Sequence, residues 1–330
     1  MKKGFDAEKY IFAQSLEIGK RVARFGRLYL EVGGKLCRDR HAARVLPGYR
    51  ESSKVEILKE LGNLGIVYCI RARDLVGRRE VGLSGKSYEE KILGDLDDIA
   101  RFKLGKVRIV ITRFGGEIEA KKFGALLKKK YDVYFHDEIV GYGKNMAATL
   151  RGYEKNSYIS IREKLIVVTG PAGGSGKMGF ALSQIYAERK RAGEKRKAEG
   201  DAGFAKFESF PIWNLPMSHP VNLAYEAATA DLGDFNMIDK DHLKAYEKRA
   251  VNYNRDVENF LILRKVLGER FPFGYRSVTD MGVNMMRIGI VDDLVCRRAV
   301  VAEIRRRFGK SEKGSIERER IRKILGKMEK

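Results

Sequence analysis

Short runs rich in β-branched residues alternate with helix-forming segments in the first half of this sequence, and this alternation most limits the possible folds. The runs predict strands at Leu28–Val32, Ile66–Ile70, Val107–Ile111 and Tyr131–Phe135, and a fifth at Leu165–Thr169. Apolar residues between the strands recur at helical spacing. Such β-α-β alternation predicts an α/β fold with mostly parallel sheets covered by helices, in which ligands bind at the carboxyl ends of strands.

The chain is long enough for two domains, because it has 330 residues of which 44% are apolar. We expect a Rossmann-like α/β domain over 1–150 and a P-loop-like α/β domain with a helical insert over 151–308. A basic C-terminal tail, 309–330, would follow as a helix end and a weaker second helix. The polar, glycine-containing residues 141–156 predict a hinge, and the charged run 188–206 predicts a solvated helix end and linker.

A glycine-rich turn follows the fifth predicted strand directly. Residues 167–179 read VVTGPAGGSGKMG, close to the phosphate-binding pattern G-x-x-x-x-G-K-[ST], but the early glycine is displaced by one position and Met178 replaces the magnesium-binding hydroxyl. Backbone N–H groups of 173–176 would converge on a phosphate at the positive end of a helix, and Lys177 would add its ammonium group. Ser175 or a distant aspartate would then hold any magnesium ion. The alternative is a tight strand-to-helix turn with an incidental lysine.

The charge of the sequence points towards phosphate-rich partners without naming one. There are 66 Lys and Arg against 44 Asp and Glu, which gives a net charge of +22, and the stretch from Arg297 to Lys330 alone has 13 basic and 5 acidic residues. Two interpretations stay open. The basic tail binds nucleic acid, or interleaved Lys, Arg and Glu decorate a solvated, heat-adapted surface.

Cysteine and histidine positions argue against disulfides and metal clusters. Cys37, Cys69 and Cys296 are far apart and lack a C-x-x-C partner, which predicts reduced, packed thiols. The four histidines show no metal-ligand spacing. No stretch approaches the roughly 20 apolar residues needed to cross a bilayer, so we expect a cytoplasmic protein with no membrane partner.

Several long strings are similar to a bacterial family described only as domain of unknown function 1846. They lie at Leu28–Tyr49, Lys206–Asp231, Asn236–Asp239, Ala250–Asp256 and Asp280–Asn284. With the glycine turn, the resemblance covers nearly the whole chain to about residue 307. It implies a multi-domain α/β protein with a nucleotide-type loop and no settled activity. It also implies longer members with a further C-terminal domain, so that this sequence is expected to be a short form lacking that domain.

The resembling strings concentrate polar groups of the kinds that catalysis uses. His219 is a candidate for proton transfer, Arg255 for holding a phosphate bidentately, and Asp256 or Asp280 for a base, with Asp280 also the candidate metal ligand. For each of them the alternative is a helix cap or a buried ion pair. The predicted cofactor-binding residues are Gly173, Gly174, Ser175, Gly176, Lys177 and Asn284.

A transfer site requires its charge clamp and metal ligand beside the transferred group. Arg255, Asp256, Asp280 and Asn284 are therefore predicted to lie near the glycine turn. A second anion site is suggested by Gly33-Gly34-Lys35 with His41 and Arg44, for which a plain strand-to-helix turn is the alternative.

These observations favour a protein that binds ATP, another nucleotide or a phosphorylated small molecule, with magnesium as a candidate cofactor, and that acts as a phosphotransferase or ligase. A different class stays open, an RNA- or ribosome-associated protein without catalysis that uses the basic tail. We also expect a homo-oligomer.

Overall fold

The computed structural model describes residues 2–33, 35–77, 85, 87–192, 202–267 and 274–328. Seven strands form one parallel sheet in the order β4-β3-β2-β5-β1-β6-β9. They are β1 Arg27–Val32, β2 Leu64–Arg71, β3 Val107–Phe114, β4 Asp132–Asp137, β5 Leu165–Thr169, β6 Ala202–Phe207 and β9 Gly282–Val283. A separate antiparallel pair consists of β7 Asn236–Ile238 and β8 Val251–Tyr253.

Helices flank this sheet, as the alternation of the sequence predicted. Those of the first half are α1 Ala7–Arg24, α2 Arg40–Val45, α3 Ser53–Glu60, α4 Ala72–Val76, α5 Tyr88–Phe102, α6 Ile118–Leu127 and α7 Met146–Lys155. Those of the second half are α8 Lys177–Ala192, α9 Pro220–Ala228, α10 Lys240–Tyr246, α11 Asn254–Leu267, α12 Val278–Met281, α13 Met286–Gly289, α14 Asp293–Lys310 and α15 Ile316–Met328. The predicted α/β fold class is confirmed.

Strand β5 occupies the centre of the sheet. All five of its residues are buried, and β2 is buried from Leu64 to Ile70, as expected for parallel strands covered on both faces. Because β5 is hydrogen-bonded between β1 and β2, strands from both predicted domains belong to one sheet. The boundary predicted near residue 150 therefore falls within one continuous sheet.

Two expectations about connecting segments are wrong. The hinge predicted over 141–156 contains α7, whose Thr149 and Tyr153 are buried. The solvated helix end and linker predicted over 188–206 do include the end of α8 at Ala192, but the linker is wrong at its far end. There the small apolar residues of AGFAKF form β6, which is buried beside β1. Residues 193–201 of that predicted linker lie outside the described residues.

The basic tail packs against the rest of the protein. Ile321 and Ile324 of α15 are buried, and Arg320 Nη1 donates to the carbonyl oxygen of Ala230 at 2.7 Å. Arg318 lies over the ring of Phe308 and donates to its carbonyl oxygen. Two arginines of the tail are thus occupied by contacts within the chain.

The three cysteines are free and buried, as predicted for packed thiols. Among the helices of the described residues, none is long and apolar enough to cross a membrane.

Candidate functional site

The glycine turn joins β5, the central strand, to α8. Gly174 and Gly176 both have φ of +82°, a conformation that glycine adopts at little cost. A Cβ atom at Gly176 would lie 2.6 Å from Thr112 Oγ1, and one at Gly170 would lie 2.4 Å from the carbonyl oxygen of Cys69. The Thr112 hydroxyl also donates to the Ser175 carbonyl oxygen at 2.9 Å. Neighbouring strands therefore hold the backbone of this turn in a fixed shape.

Lys177 is the first residue of α8, and its side chain is buried at the base of the turn. Its Nζ atom lies 3.7 Å from Glu31 Oε1 and donates to the carbonyl oxygen of Ala172 at 3.4 Å. Met178 packs in the hydrophobic core. Ser175 is fully buried, and its Oγ atom has no partner among the described residues. The turn thus presents a lysine and backbone amides, but its one hydroxyl is enclosed in the protein.

A large cavity opens beside the turn, at the carboxyl ends of the strands. Its volume is about 1030 Å³, at the upper end of the range usual for small-molecule sites. The ends of β1, β3, β4 and β6 contribute Glu31, Thr112, His136 and Lys206 to its wall. Thirteen lysine and arginine residues line it against eight carboxylates, so the cavity carries a net positive charge that favours an anionic ligand.

Arg255, near the start of α11, lies over the glycine turn. Its Nε atom donates to Asp234 Oδ1 at 3.0 Å, and its Nη2 atom pairs with Oδ2 of the same carboxylate. The remaining nitrogen, Nη1, faces Gly173, where a Cβ atom would lie only 2.7 Å from it. Asp234 therefore orients the guanidinium so that one N–H edge is directed at the turn.

The next residue, Asp256, belongs to a cluster of buried charges in the same cavity wall. Asp256 pairs with Lys206, whose Nζ atom also lies 3.4 Å from Glu208 Oε1. Burial raises the pKa of Glu208 to about 8, against the opposing effect of Lys206. Burial works against the charged form of Lys206, but the two carboxylates outweigh it and raise that pKa. Glu208 is a proton-holding carboxyl that the sequence analysis missed, since its burial and its proximity to Asp256 come from the fold.

Four of the predicted site residues do not line the cavity. One is the enclosed Ser175, and the polar groups of the other three are used elsewhere. Asp280 caps α12, where its Oδ2 atom accepts from the backbone N–H groups of Arg276 and Ser277 and from the Tyr246 hydroxyl. Asn284 donates to the Pro211 carbonyl oxygen and accepts from the Met286 N–H.

His219 caps α9, and its Nε2 atom lies 3.0 Å from Asp293 Oδ1. Of the residues predicted to surround the turn, the structure thus brings Arg255 and Asp256 to the cavity and places Asp280 and Asn284 outside its lining.

A second basic group lines the cavity, formed by Lys35, Arg44, Arg306 and Arg307. Lys35 and Arg44 were suggested by the sequence, whereas the two α14 arginines were seen only as part of the basic stretch from Arg297 to Lys330. Gly34, in the suggested anion site, lies outside the described residues. Ion pairs join Arg44, Arg306 and Arg307 to the buried carboxylate of Glu303.

Histidines in the cavity wall are neutral, and metal-binding clusters are not found within the described ranges. Burial lowers the pKa of His41 and of His136 to about 4. No three His, Cys, Asp or Glu side chains come together to hold a metal ion in the part of the chain that the structure describes.

The sheet, the turn and the cavity together define a parallel α/β protein with a positively charged cavity at the carboxyl ends of its strands. The chain belongs to the family described as domain of unknown function DUF1846, N-terminal, whose model matches residues 3–330.

Relatives named UPF0371 protein are similar to almost the whole of this chain. The proteins of Clostridium tetani (strain Massachusetts / E88) and Clostridioides difficile (strain 630) are each 42% identical, over 97% and 96% of this chain. A protein of Clostridium botulinum (strain Eklund 17B / Type B) is 42% identical over 94% of this chain. The matches span 64%, 64% and 62% of the relatives' own lengths, so this chain corresponds to somewhat less than two thirds of each.

Proposed function

We propose that this protein binds a nucleotide or another phosphorylated small molecule in the cavity, with a phosphate group against residues 173–177. The observation that carries the proposal is the convergence of three kinds of donor on one spot. They are the amides of a glycine turn at the start of a helix, Lys177, and the Nη1 edge of Arg255 over Gly173.

The electrostatics of the cavity support an anion at this position. Among the described residues, Lys177 has only Glu31 at ion-pair distance, 3.7 Å away, and the first turn of α8 contains no acidic residue. The α8 dipole therefore acts together with Lys177 and Arg255, and a phosphate oxygen would satisfy amides that the helix itself leaves unbonded.

Phosphoryl transfer, by a phosphotransferase or a ligase, is the reaction class that such a site supports. That chemistry needs mainly positioning and neutralisation of charge on the transferred group. Lys177, Arg255 and Lys206 supply positive charge in one cavity, and Glu208 supplies a carboxyl that holds a proton near neutral pH. ATP is the nucleotide we would test first.

The residues of the turn do not fit a magnesium ion held by the protein at this point. The position of the usual hydroxyl is occupied by Met178 in the core, the Ser175 hydroxyl is enclosed, and Asp280 caps a helix elsewhere. Any magnesium ion at this site would thus be carried by the phosphates of the ligand, and EDTA should weaken phosphate binding little.

The test is calorimetric titration of ATP and of inorganic phosphate into the wild-type protein and Lys177→Gln. Loss of one charge-assisted hydrogen bond predicts binding weakened by about tenfold to a hundredfold. Lys106→Gln is the matched control, because Lys106 is an exposed lysine at the opposite end of β3 that pairs with Asp132.

A second variant guards against a change in folding. Lys177→Gln leaves the Glu31 carboxylate without its cation, so the double variant Glu31→Gln, Lys177→Gln should be compared by thermal melting and titration. If the wild-type protein binds no nucleotide, phosphate or sulfate at low salt, or if Lys106→Gln weakens binding as much as Lys177→Gln, the proposal fails.

The alternative of RNA binding through the tail has less support from the contacts of the tail. Arg318 and Arg320 are engaged within the chain, and Arg306, Arg307 and Lys310 line the cavity. It remains a separate proposal with its own test.

A further inference from the structure

We propose that Lys35, Arg44, Arg306 and Arg307 form a second oxyanion subsite in the same cavity, so that the protein accommodates two phosphate groups at once. This inference rests on the proposed function for its ligand class and deepens it. The two groups belong either to one ligand with two separated phosphates or to a nucleotide and a phosphorylated second substrate.

Charge is unbalanced around Glu303. This carboxylate is 3% exposed and accepts from the Nε atoms of Arg44 at 2.9 Å, Arg306 at 2.7 Å and Arg307 at 2.9 Å. One negative charge therefore faces three positive charges. A buried carboxylate in such surroundings stays ionised. Among the described residues, no second carboxylate lies at ion-pair distance from these three arginines.

These arginines also have guanidinium N–H groups that are free to donate hydrogen bonds. Each uses its Nε atom on Glu303. Arg306 also donates from Nη2 to Glu303 Oε1 at 2.9 Å, and Arg307 directs Nη2 at His41 Nδ1, 3.4 Å away. No described residue accepts from the Nη1 atom of any of the three. All three line the cavity, so an oxyanion there could accept from more than one guanidinium.

Lys35 is a further positive charge in this part of the cavity wall. It follows β1, lines the cavity and has no carboxylate at ion-pair distance within the described part of the chain. The carboxylate whose charge acts on Lys35 is Asp39, which is already paired with Lys54 at 2.8 Å and caps α2. Lys35 is therefore a cation in a cavity wall whose local counter-charge is used by another lysine.

The surplus of positive charge around Lys35 affects its pKa. Lys35 is exposed towards the cavity, and desolvation there, together with the positive charges of Arg307, Lys54 and Arg44, lowers its pKa to about 8, while Asp39 opposes them. Neutral His41 adds no charge, and Glu303 is shared among three arginines. An oxyanion bound beside Lys35 would restore its positive charge, so binding should weaken as the pH rises through about 8.

The two subsites lie within reach of one ligand. Glu31, at the end of β1, lies 3.7 Å from Lys177, and Lys35 is four residues further along the chain. Four residues span at most about 14 Å, so the Cα atoms of Glu31 and Lys35 are no farther apart than that. The cavity of about 1030 Å³ has room for a ligand with two phosphates or for two smaller ligands.

The experiment titrates inorganic phosphate into the full chain and its variants by calorimetry at pH 7 and pH 9. We expect two phosphates for each wild-type chain and one for the double variant Lys35→Gln, Arg306→Gln, which leaves Arg44 and Arg307 to neutralise Glu303. The single variant Lys35→Gln should weaken the second phosphate about tenfold at pH 7 and abolish the loss of affinity between pH 7 and pH 9. Arg305→Gln is the matched control, since Arg305 is exposed on α14 and does not line the cavity.

Failure of this inference is distinguishable from failure of the proposed function. Lys177→Gln should lose the phosphate at the turn and keep the pH-dependent one. One phosphate in the wild-type protein that neither Lys35→Gln nor the double variant weakens would overturn the second subsite, as would an equal loss in Arg305→Gln.

A titration with ATP present identifies the source of the second phosphate group. Phosphate that still binds once per chain, with its dependence on Lys35, supports a second phosphorylated substrate. Complete displacement of both phosphates by ATP supports a single ligand that spans both subsites.

Discussion

The two glycines with positive φ in the turn provide a matched pair for testing how the turn is held. Gly174 and Gly176 share φ of +82°, so alanine at either position costs about 1 kcal/mol of backbone strain. They differ in surroundings. A Cβ atom at Gly174 meets nothing within 4 Å, whereas at Gly176 it would lie 2.6 Å from Thr112 Oγ1 and 2.8 Å from Thr112 Cβ.

Gly174→Ala should therefore lower the free energy of unfolding by about 1 kcal/mol. Gly176→Ala should lower it by about 2–4 kcal/mol, because overpacking adds roughly 1–3 kcal/mol to the same strain. Urea unfolding of both variants measures the difference. If the two variants differ by less than about 0.5 kcal/mol, strand β3 does not fix the turn, and the fixed cradle that phosphate binding relies on is refuted.

Two further predictions concern pH and salt. The pKa of both His41 and His136 is about 4 in the folded protein against 6.5 ordinarily, so the unfolded chain takes up protons first as the pH falls. Their contribution to the free energy of unfolding is complete above pH 6.5 and is lost towards pH 4, by roughly 3 kcal/mol for each histidine. Urea unfolding of His136→Gln should therefore show a smaller decrease in the free energy of unfolding over this pH range than the wild-type protein shows. An unchanged decrease would contradict this. For the tail, changing three exposed α15 residues to Gln should leave ATP binding unchanged. The residues to change are Arg322, Lys323 and Lys327. If the tail binds RNA, filter binding of this variant should instead give a plot of log affinity against log salt concentration whose slope is smaller by roughly 0.7 for each phosphate contact removed.

Much of the sheet could be predicted because buried parallel strands consist of short runs of apolar residues. The run LIVVT of β5 is buried throughout, and its neighbour β2 is nearly so. β6 escaped prediction because AGFAKF combines small residues with a lysine and follows a highly charged stretch. The lysine is accommodated by Asp256, 50 residues away, and no local pattern shows that pairing.

The candidate site could be predicted only in part, for a related reason. The spacing of glycines along the sequence predicts a turn such as 173–177, and the carboxyl ends of the β-strands predict where polar site residues lie. Asp280 and Asn284 follow the same kind of polar pattern as Arg255, but the fold uses them to cap α12 and to tie a loop to Pro211. The arginines of α14 lie beside the cavity because the fold brings α14 next to α2, where Arg44 pairs with Glu303 from about 260 positions away, and no local pattern shows this.

The most direct measurement of the central claim is a crystal structure of the protein grown or soaked with inorganic phosphate or an ATP analogue. The account predicts a phosphate group within hydrogen-bond distance of the backbone amides of 174–177, with Lys177 Nζ and Arg255 Nη1 directed at its oxygens. A phosphorylated ligand bound elsewhere, with the turn still packed as it is here and Lys177 held only by Glu31 and Ala172, would contradict it.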